Sequence, residues 1–299
     1  MIVSVSRRCD IPRFQFDWFM ERVNEGFVEV TNPYNAGQKK RVSLLPAAGG
    51  TEEGVDAFVF WTRDPQYILA NADELTNRGF PFYVMVTMTG YPDVLEPDVP
   101  PAPEVLASMK ELSRKIGAER VIWRYDPVLL TSITNEDFHR RNFSELAQKL
   151  AGFVRRVIIS VYDEYREAKM RFFELERTGK LRMPDSSDGL AGLLADLAKS
   201  AEAAGMYKPP AAALYNHLPY TRRPEGGMEI QSCAEKEDFS SLGIKPGACI
   251  DAALIEKLWG LKLRGKDRNQ RPNCLCCKST DIGSYGNCTA RCVYCYAWR

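Results

Sequence analysis

Residues 82–88 read Phe-Tyr-Val-Met-Val-Thr-Met. A short, nearly continuous apolar run of this kind suits a strand covered on both faces, as in a parallel sheet. Five further runs share the character, at residues 2–6, 57–61, 120–125, 156–161 and 228–232. Amphipathic helices are expected between them. Residues 16–23 carry Phe16, Phe19, Met20 and Val23 at helical spacing, and 104–116 carry Val105, Leu106, Met109, Leu112 and Ile116. Segments 143–154 and 190–204 are similar. Strand–helix alternation predicts βαβ units. The expected fold class is α/β: a partial TIM-type β/α barrel of about six parallel strands, with a C-terminal cysteine-rich loop segment. An open doubly wound sheet is the competing layout.

Two segments interrupt the alternation. Residues 26–45 suggest a hairpin insertion around Asn32-Pro33-Tyr34-Asn35-Ala36-Gly37. Residues 207–227, rich in Pro and Gly, suggest a flap-like insertion. After the sixth strand, residues 251–259 form a short helix, with Asp251 as N-cap and Gly260 closing it. The expected organisation is a barrel domain over 1–260. A segment over 261–299, opened by the polar linker 266–273, folds back over the barrel mouth.

The chain has 299 residues, 45% hydrophobic and 26% charged, which is ordinary globular composition and excludes disorder or a coiled coil. Forty basic against thirty-nine acidic residues give +1. That balance argues against nucleic acid and membrane surfaces as partners. No apolar run approaches the roughly 20 residues of a membrane helix. The first residues read as a strand rather than a signal peptide, so a cytoplasmic location is expected.

Nine cysteines are present: Cys9, Cys233, Cys249, Cys274, Cys276, Cys277, Cys288, Cys292 and Cys295. Six fall in the last 26 residues, a crowding that points to a metal rather than to disulfides. A buried free thiol suits Cys9. Zinc fits Cys274-x2-Cys277 followed after fourteen residues by Cys292-x2-Cys295, but leaves Cys276 and Cys288 unused. An iron–sulfur cluster fits Cys288-x3-Cys292-x2-Cys295, three thiolates on one tight loop that leave one iron open. Cys233, Cys249, Cys274 and Cys276, with Cys277 as substitute, could hold a second iron–sulfur cluster or a zinc. His139 and His217 are too few for a metal site, and His139 is expected on a helix surface.

The strand ends carry the other candidate chemistry. In a β/α barrel the carboxyl ends of all strands meet on one face, where active sites are built. Those ends supply Arg7, Arg8, Asp10, Arg63, Arg124, Asp126 and Asp163 as candidate catalytic residues. The arginines could grip carboxylate or phosphate groups by paired hydrogen bonds. Asp126 and Asp163 could hold hydroxyls, an amine or a proton. Tyr125 and Tyr162 could relay hydrogen or simply pack.

The CxxxCxxC spacing, with the aromatic Tyr294 before its last cysteine, resembles the radical S-adenosylmethionine superfamily. The resemblance implies a [4Fe-4S] cluster on Cys288, Cys292 and Cys295, with S-adenosylmethionine on the open iron and Tyr294 near its adenine. It further implies reductive cleavage to a 5′-deoxyadenosyl radical acting on a small-molecule substrate, and an electron donor of flavodoxin or ferredoxin type. The superfamily usually carries this motif after its first strand, whereas here it lies at the end of the chain. Its glycine-rich segment after the second strand has no counterpart; residues 61–64 stand there instead. Over almost the full length the chain resembles the domain of unknown function 1848 family. The motifs are Ser-x-Ser-Arg-Arg-x-Asp-Ile-Pro at 4–12, Asn32-Pro33, Phe-Trp-Thr-x-x-Pro at 60–65, Trp-Arg-Tyr-Asp-Pro at 123–127, Ser-Cys-Ala-Glu at 232–235 and Asp-Ile-Gly-x-Tyr at 281–285. The alternative reading is a non-enzymatic zinc- or cluster-binding barrel protein with a structural cysteine tail.

Overall fold

A computed structural model describes residues 1–33, 35–47, 54–184, 186, 188–206, 227–263, 265–266 and 270–298. The elements run β1 (Ile2–Val5), α1 (Ile11–Phe14), α2 (Phe16–Glu25), β2 (Phe27–Asn32), β3 (Asn35–Ser43), β4 (Ala57–Thr62) and α3 (Gln66–Asn77). They continue with β5 (Phe82–Thr87), α4 (Ala102–Ile116), β6 (Val121–Val128), α5 (Glu136–Leu150), β7 (Arg156–Val161), α6 (Arg166–Arg177) and α7 (Leu190–Met206). The last are β8 (Glu229–Cys233), β9 (Lys245–Gly247), α8 (Ala252–Trp259) and β10 (Ser279–Asp281).

Eight strands form one sheet in the order β10-β1-β4-β5-β6-β7-β8-β9, and each neighbouring pair is parallel. All six strands expected from the sequence are there. Three-residue strands at each edge, β9 and β10, raise the number to eight. Neither is apolar: Lys-Pro-Gly and Ser-Thr-Asp carry no pattern a sequence reading can detect. The expectation of a tail that is loop alone is therefore corrected, because β10 joins the sheet beside β1. The expected hairpin is the antiparallel pair β2–β3. Nearly all of the flap-like stretch 207–227, with His217, lies outside the described residues.

Alternate side chains of the central strands serve two different layers. Val3, Phe58, Phe60, Val84, Trp123 and Val157 pack with Phe19, Leu75, Met109, Phe143 and Leu197 of the helices. Ile2, Val59, Met85, Ile122 and Ile158 pack instead with Leu254 and Ile255 of α8 and with Cys249, Cys274, Cys276 and Cys277. Both faces are thus dry, which is why the strands read as continuous apolar runs. The two sheet edges are bridged beyond their strands: Cys277 N–H donates to the Ile250 carbonyl at 3.0 Å.

Helix α8 has the expected caps, with Asp251 accepting from the Ala253 and Leu254 N–H groups and Gly260 left-handed at the end. Helix α5 differs from expectation. It starts at Glu136 behind an Asn135 cap and stops at Leu150, before Gly152 turns left-handed. Its polar first turns hide the start from a reading by apolar periodicity. His139, expected on a surface, is fully buried on this helix. Its ring bonds Tyr125 Oη at 2.8 Å and the Leu129 carbonyl at 3.0 Å, so both nitrogens are satisfied inside the protein. No helix among the described residues is long and apolar enough to cross a membrane.

Candidate functional site

A cavity of about 430 Å³ opens where the carboxyl ends of β1, β4, β5, β6, β7 and β8 meet the tail. Its walls include every candidate catalytic residue: Arg7, Arg8, Asp10, Arg63, Arg124, Asp126 and Asp163. Tyr294, Cys288, Cys292, Cys295, Cys233, Cys249, Cys274 and Cys276 share it. Cys277 is buried in the layer behind and does not line the cavity. The zinc ribbon suggested by the spacing of Cys274, Cys277, Cys292 and Cys295 is not formed. Cys274 and Cys277 pack under α8, whereas Cys292 packs in a separate cluster with Leu95 and Phe172. No three His, Cys, Asp or Glu side chains among the described residues stand as a ready-made metal site.

The tail reaches the cavity because Asp281, at the end of β10, is a hub. Its carboxylate accepts from Ser4 Oγ at 2.7 Å, Ser6 Oγ at 2.6 Å, Arg7 N at 2.8 Å and Gly283 N at 3.0 Å. These bonds fasten the tail to the loop after β1. Gly283 must be glycine there, since a Cβ would lie 2.0 Å from Ser6 Oγ and 2.9 Å from Cys9 Sγ. Arg171 of α6 then grips the loop from outside, donating to the carbonyls of Val293 at 2.8 Å, Cys295 at 2.5 Å and Trp298 at 3.0 Å. Val293 N–H donates to the Leu95 carbonyl at 2.9 Å, and Arg291 pairs with Asp98.

Around the three tail thiols stand N–H donors and a guanidinium, with the Asp10 carboxylate near Cys288 and that of Glu96 near Cys292. The Cys288 sulfur meets the Ala290 and Asp10 N–H groups, and Cys295 Sγ accepts from Ala297 N at 3.3 Å. The buried Arg63 guanidinium lies near Cys292 and Cys295. Burial pushes the Cys292 thiol up to about 12, and Arg63 only partly offsets this. A thiol held this high stays protonated at neutral pH unless a cation beside it displaces the proton. Donor set, N–H groups and guanidinium all suit an anionic thiolate-ligated group.

Several strand-end side chains are already engaged. Arg63 Nη1 pairs with the buried Glu96 at 2.9 Å, and Arg63 and Glu96 both bond the Tyr294 hydroxyl. Tyr294 is therefore pinned by its polar end and packs edge-on to Tyr91 at 6.0 Å. Asp10 caps α1 through Arg13 N and accepts from Arg63 N at 2.8 Å. Burial holds its carboxyl up at about 6. Asp163 is half exposed and paired with Arg271 at 2.6 Å. Arg124 pairs with Asp126, which also accepts from Ser160 Oγ. Arg124 Nε and Tyr162 Oη, both in the lining, are buried without a hydrogen-bond partner. Such atoms are costly unless something binds them.

The sequence reading missed Glu96, Arg171 and, as a hub, Asp281. Glu96 and Arg171 lie away from strand ends and motifs, and only their partners reveal them. Asp281 had a signal in its Asp-Ile-Gly motif. Backbone geometry marks the cysteines further. Ala234 and Arg291, non-glycine residues with left-handed φ of 56° and 51°, stand beside Cys233 and Cys292. Such conformations cost about 1 kcal/mol or more and gather at functional sites.

Fold and site together define an α/β protein with a parallel sheet whose strand ends and cysteine-rich tail enclose one cavity. The family model Domain of unknown function (DUF1848) matches residues 2–297, and the chain belongs to that family. No curated protein and no solved structure matches it.

Proposed function

We propose that the chain is a radical S-adenosylmethionine-type enzyme acting on a small molecule, with its cluster on Cys288, Cys292 and Cys295. The observation that carries this reading is a CxxxCxxC loop whose three cysteines all line a cavity at the strand ends. A four-iron cluster bound there would supply the electron for reductive cleavage of S-adenosylmethionine to a 5′-deoxyadenosyl radical. The strand order supports this reading despite the late position of the motif. Because β10 lies beside β1, the loop follows a strand at the sheet edge next to the first, much as the superfamily's loop follows strand one. The sheet is then a β/α barrel closed only partly, its two edges bridged by the Cys277–Ile250 bond.

The chain's own residues have separable tasks. Arg63 sets a positive charge beside the sulfurs, and Ala290, Asp10 and Ala297 N–H groups hydrogen-bond them. Such contacts tune a cluster's potential. Arg7, Arg8 and Arg124 offer donors for a carboxylate or phosphate. Asp126 orients Arg124, and the apolar layers behind exclude water from reactive species.

The test is anaerobic purification followed by iron and sulfide determination. Dithionite and S-adenosylmethionine are then added, and 5′-deoxyadenosine is measured. The expected result is about four irons on the loop, 5′-deoxyadenosine formed, and both lost in Cys292→Ala. A protein without iron that gives no cleavage would overturn the reading in favour of a structural, non-enzymatic tail.

A further inference from the structure

Four thiols outside the CxxxCxxC loop come together from three parts of the chain. Cys233 ends β8, Cys249 precedes α8, and Cys274 and Cys276 open the tail. Cys233 and Cys249 Sγ are 3.1 Å apart. The Cys276 side chain is a hydrogen-bonding neighbour of both Cys249 and Cys274, and all four residues share the cavity wall. The Ile250 N–H donates to Cys276 Sγ at 3.3 Å. Thiols that merely fill a core pack against hydrocarbon. These four share one wall of the cavity, which the adjacent Cys277 does not line. Arg7 and Arg124 flank the group, each already balanced by an aspartate. Their proximity suits added negative charge, as four thiolates around a divalent ion would carry.

Spacing selects the occupant. Four sulfurs at about 2.3 Å from one tetrahedral zinc stand about 3.8 Å from each other. The thiolates of a four-iron cluster sit outside separate corners and stand farther apart. Two sulfurs already 3.1 Å apart, with two more thiols beside them, need only a small opening to close on one ion. We propose that Cys233, Cys249, Cys274 and Cys276 form a closed four-thiolate zinc site that ties β8, the approach to α8 and the tail together. With four protein ligands it has no open position, so its role is structural.

The proposal is independent of the radical reading, and its test keeps the two apart. A Cys288→Ala/Cys292→Ala/Cys295→Ala variant is purified from medium containing iron and zinc, and both metals are measured. About one zinc per chain and no iron is expected, with zinc-edge absorption giving four sulfurs at about 2.3 Å. Cys249→Ala should lower zinc at least tenfold, and Cys277→Ala should leave it unchanged. Iron and sulfide without zinc in the triple variant would overturn the proposal in favour of a second cluster. Four freely titratable thiols and no metal would reduce the quartet to packing. Zinc persisting in Cys249→Ala, or fewer than four sulfurs in its shell, would also overturn it. Should Cys249→Ala fail to fold, the sulfur count in the triple variant decides alone. Failure to form 5′-deoxyadenosine would leave the zinc result untouched.

Discussion

The two groups of cysteines on one cavity are built in opposite ways. Cys288, Cys292 and Cys295 come from a single loop of eight residues and are held from outside, by Arg171 and Asp98. Cys233, Cys249 and the pair Cys274 and Cys276 come from three separate parts of the chain and meet one another. A local loop can present three donors toward open space and leave a position for a ligand. Four donors converging on one ion would fill every tetrahedral position. The difference teaches that a set of neighbours in sequence needs outside support to hold its shape, whereas a set drawn from distant segments ties those segments together.

The hardest blow to both groups should come from Asp281, which stands between them in sequence. Asp281→Ala removes a buried carboxylate that accepts four hydrogen bonds, leaving Ser4, Ser6, Arg7 and Gly283 donors unmatched. A loss of about 3–5 kcal/mol is expected by urea unfolding, with metal lost from both groups. Wild-type stability would show that the hub is dispensable.

A control lies outside both groups. Burial pushes His139 down to about 4 from 6.5. The unfolded chain binds a proton near 6.5, whereas the folded one refuses it until about 4, so stability falls as pH drops across that window. The expected decline is on the order of 3 kcal/mol. In metal-free protein, His139→Gln should flatten that slope; an unchanged slope would assign the acid sensitivity elsewhere.

Gly283→Ala tests the close approach of the tail to the first loop. About 2 kcal/mol is expected, because Ser6 must move to admit a Cβ. A melting temperature equal to wild type would mean that the approach is looser than the structure shows. Arg171→Ala should sharpen the contrast most finely. Three carbonyl bonds to the open loop vanish. Roughly tenfold faster iron release to a chelator is expected, about 1.4 kcal/mol, with zinc release from the quartet unchanged. Equal acceleration of both would mean that the two groups form one unit.

Six of the eight sheet strands were legible in the sequence because each is buried on both faces. The edge strands were not. Lys245–Gly247 and Ser279–Asp281 pair on one side only and need no apolar side chains. Motif spacing alone singled out Cys288, Cys292 and Cys295, since ligands on one loop are neighbours in sequence. The strand-end rule likewise brought forward Arg7, Arg63 and Arg124. Tertiary structure alone decided that β10 lies beside β1, so that the tail reaches the first loop through Asp281. It also decided that His139 is core. Those outcomes rest on contacts between residues far apart in the chain. Periodicity and spacing record only what neighbours in sequence share.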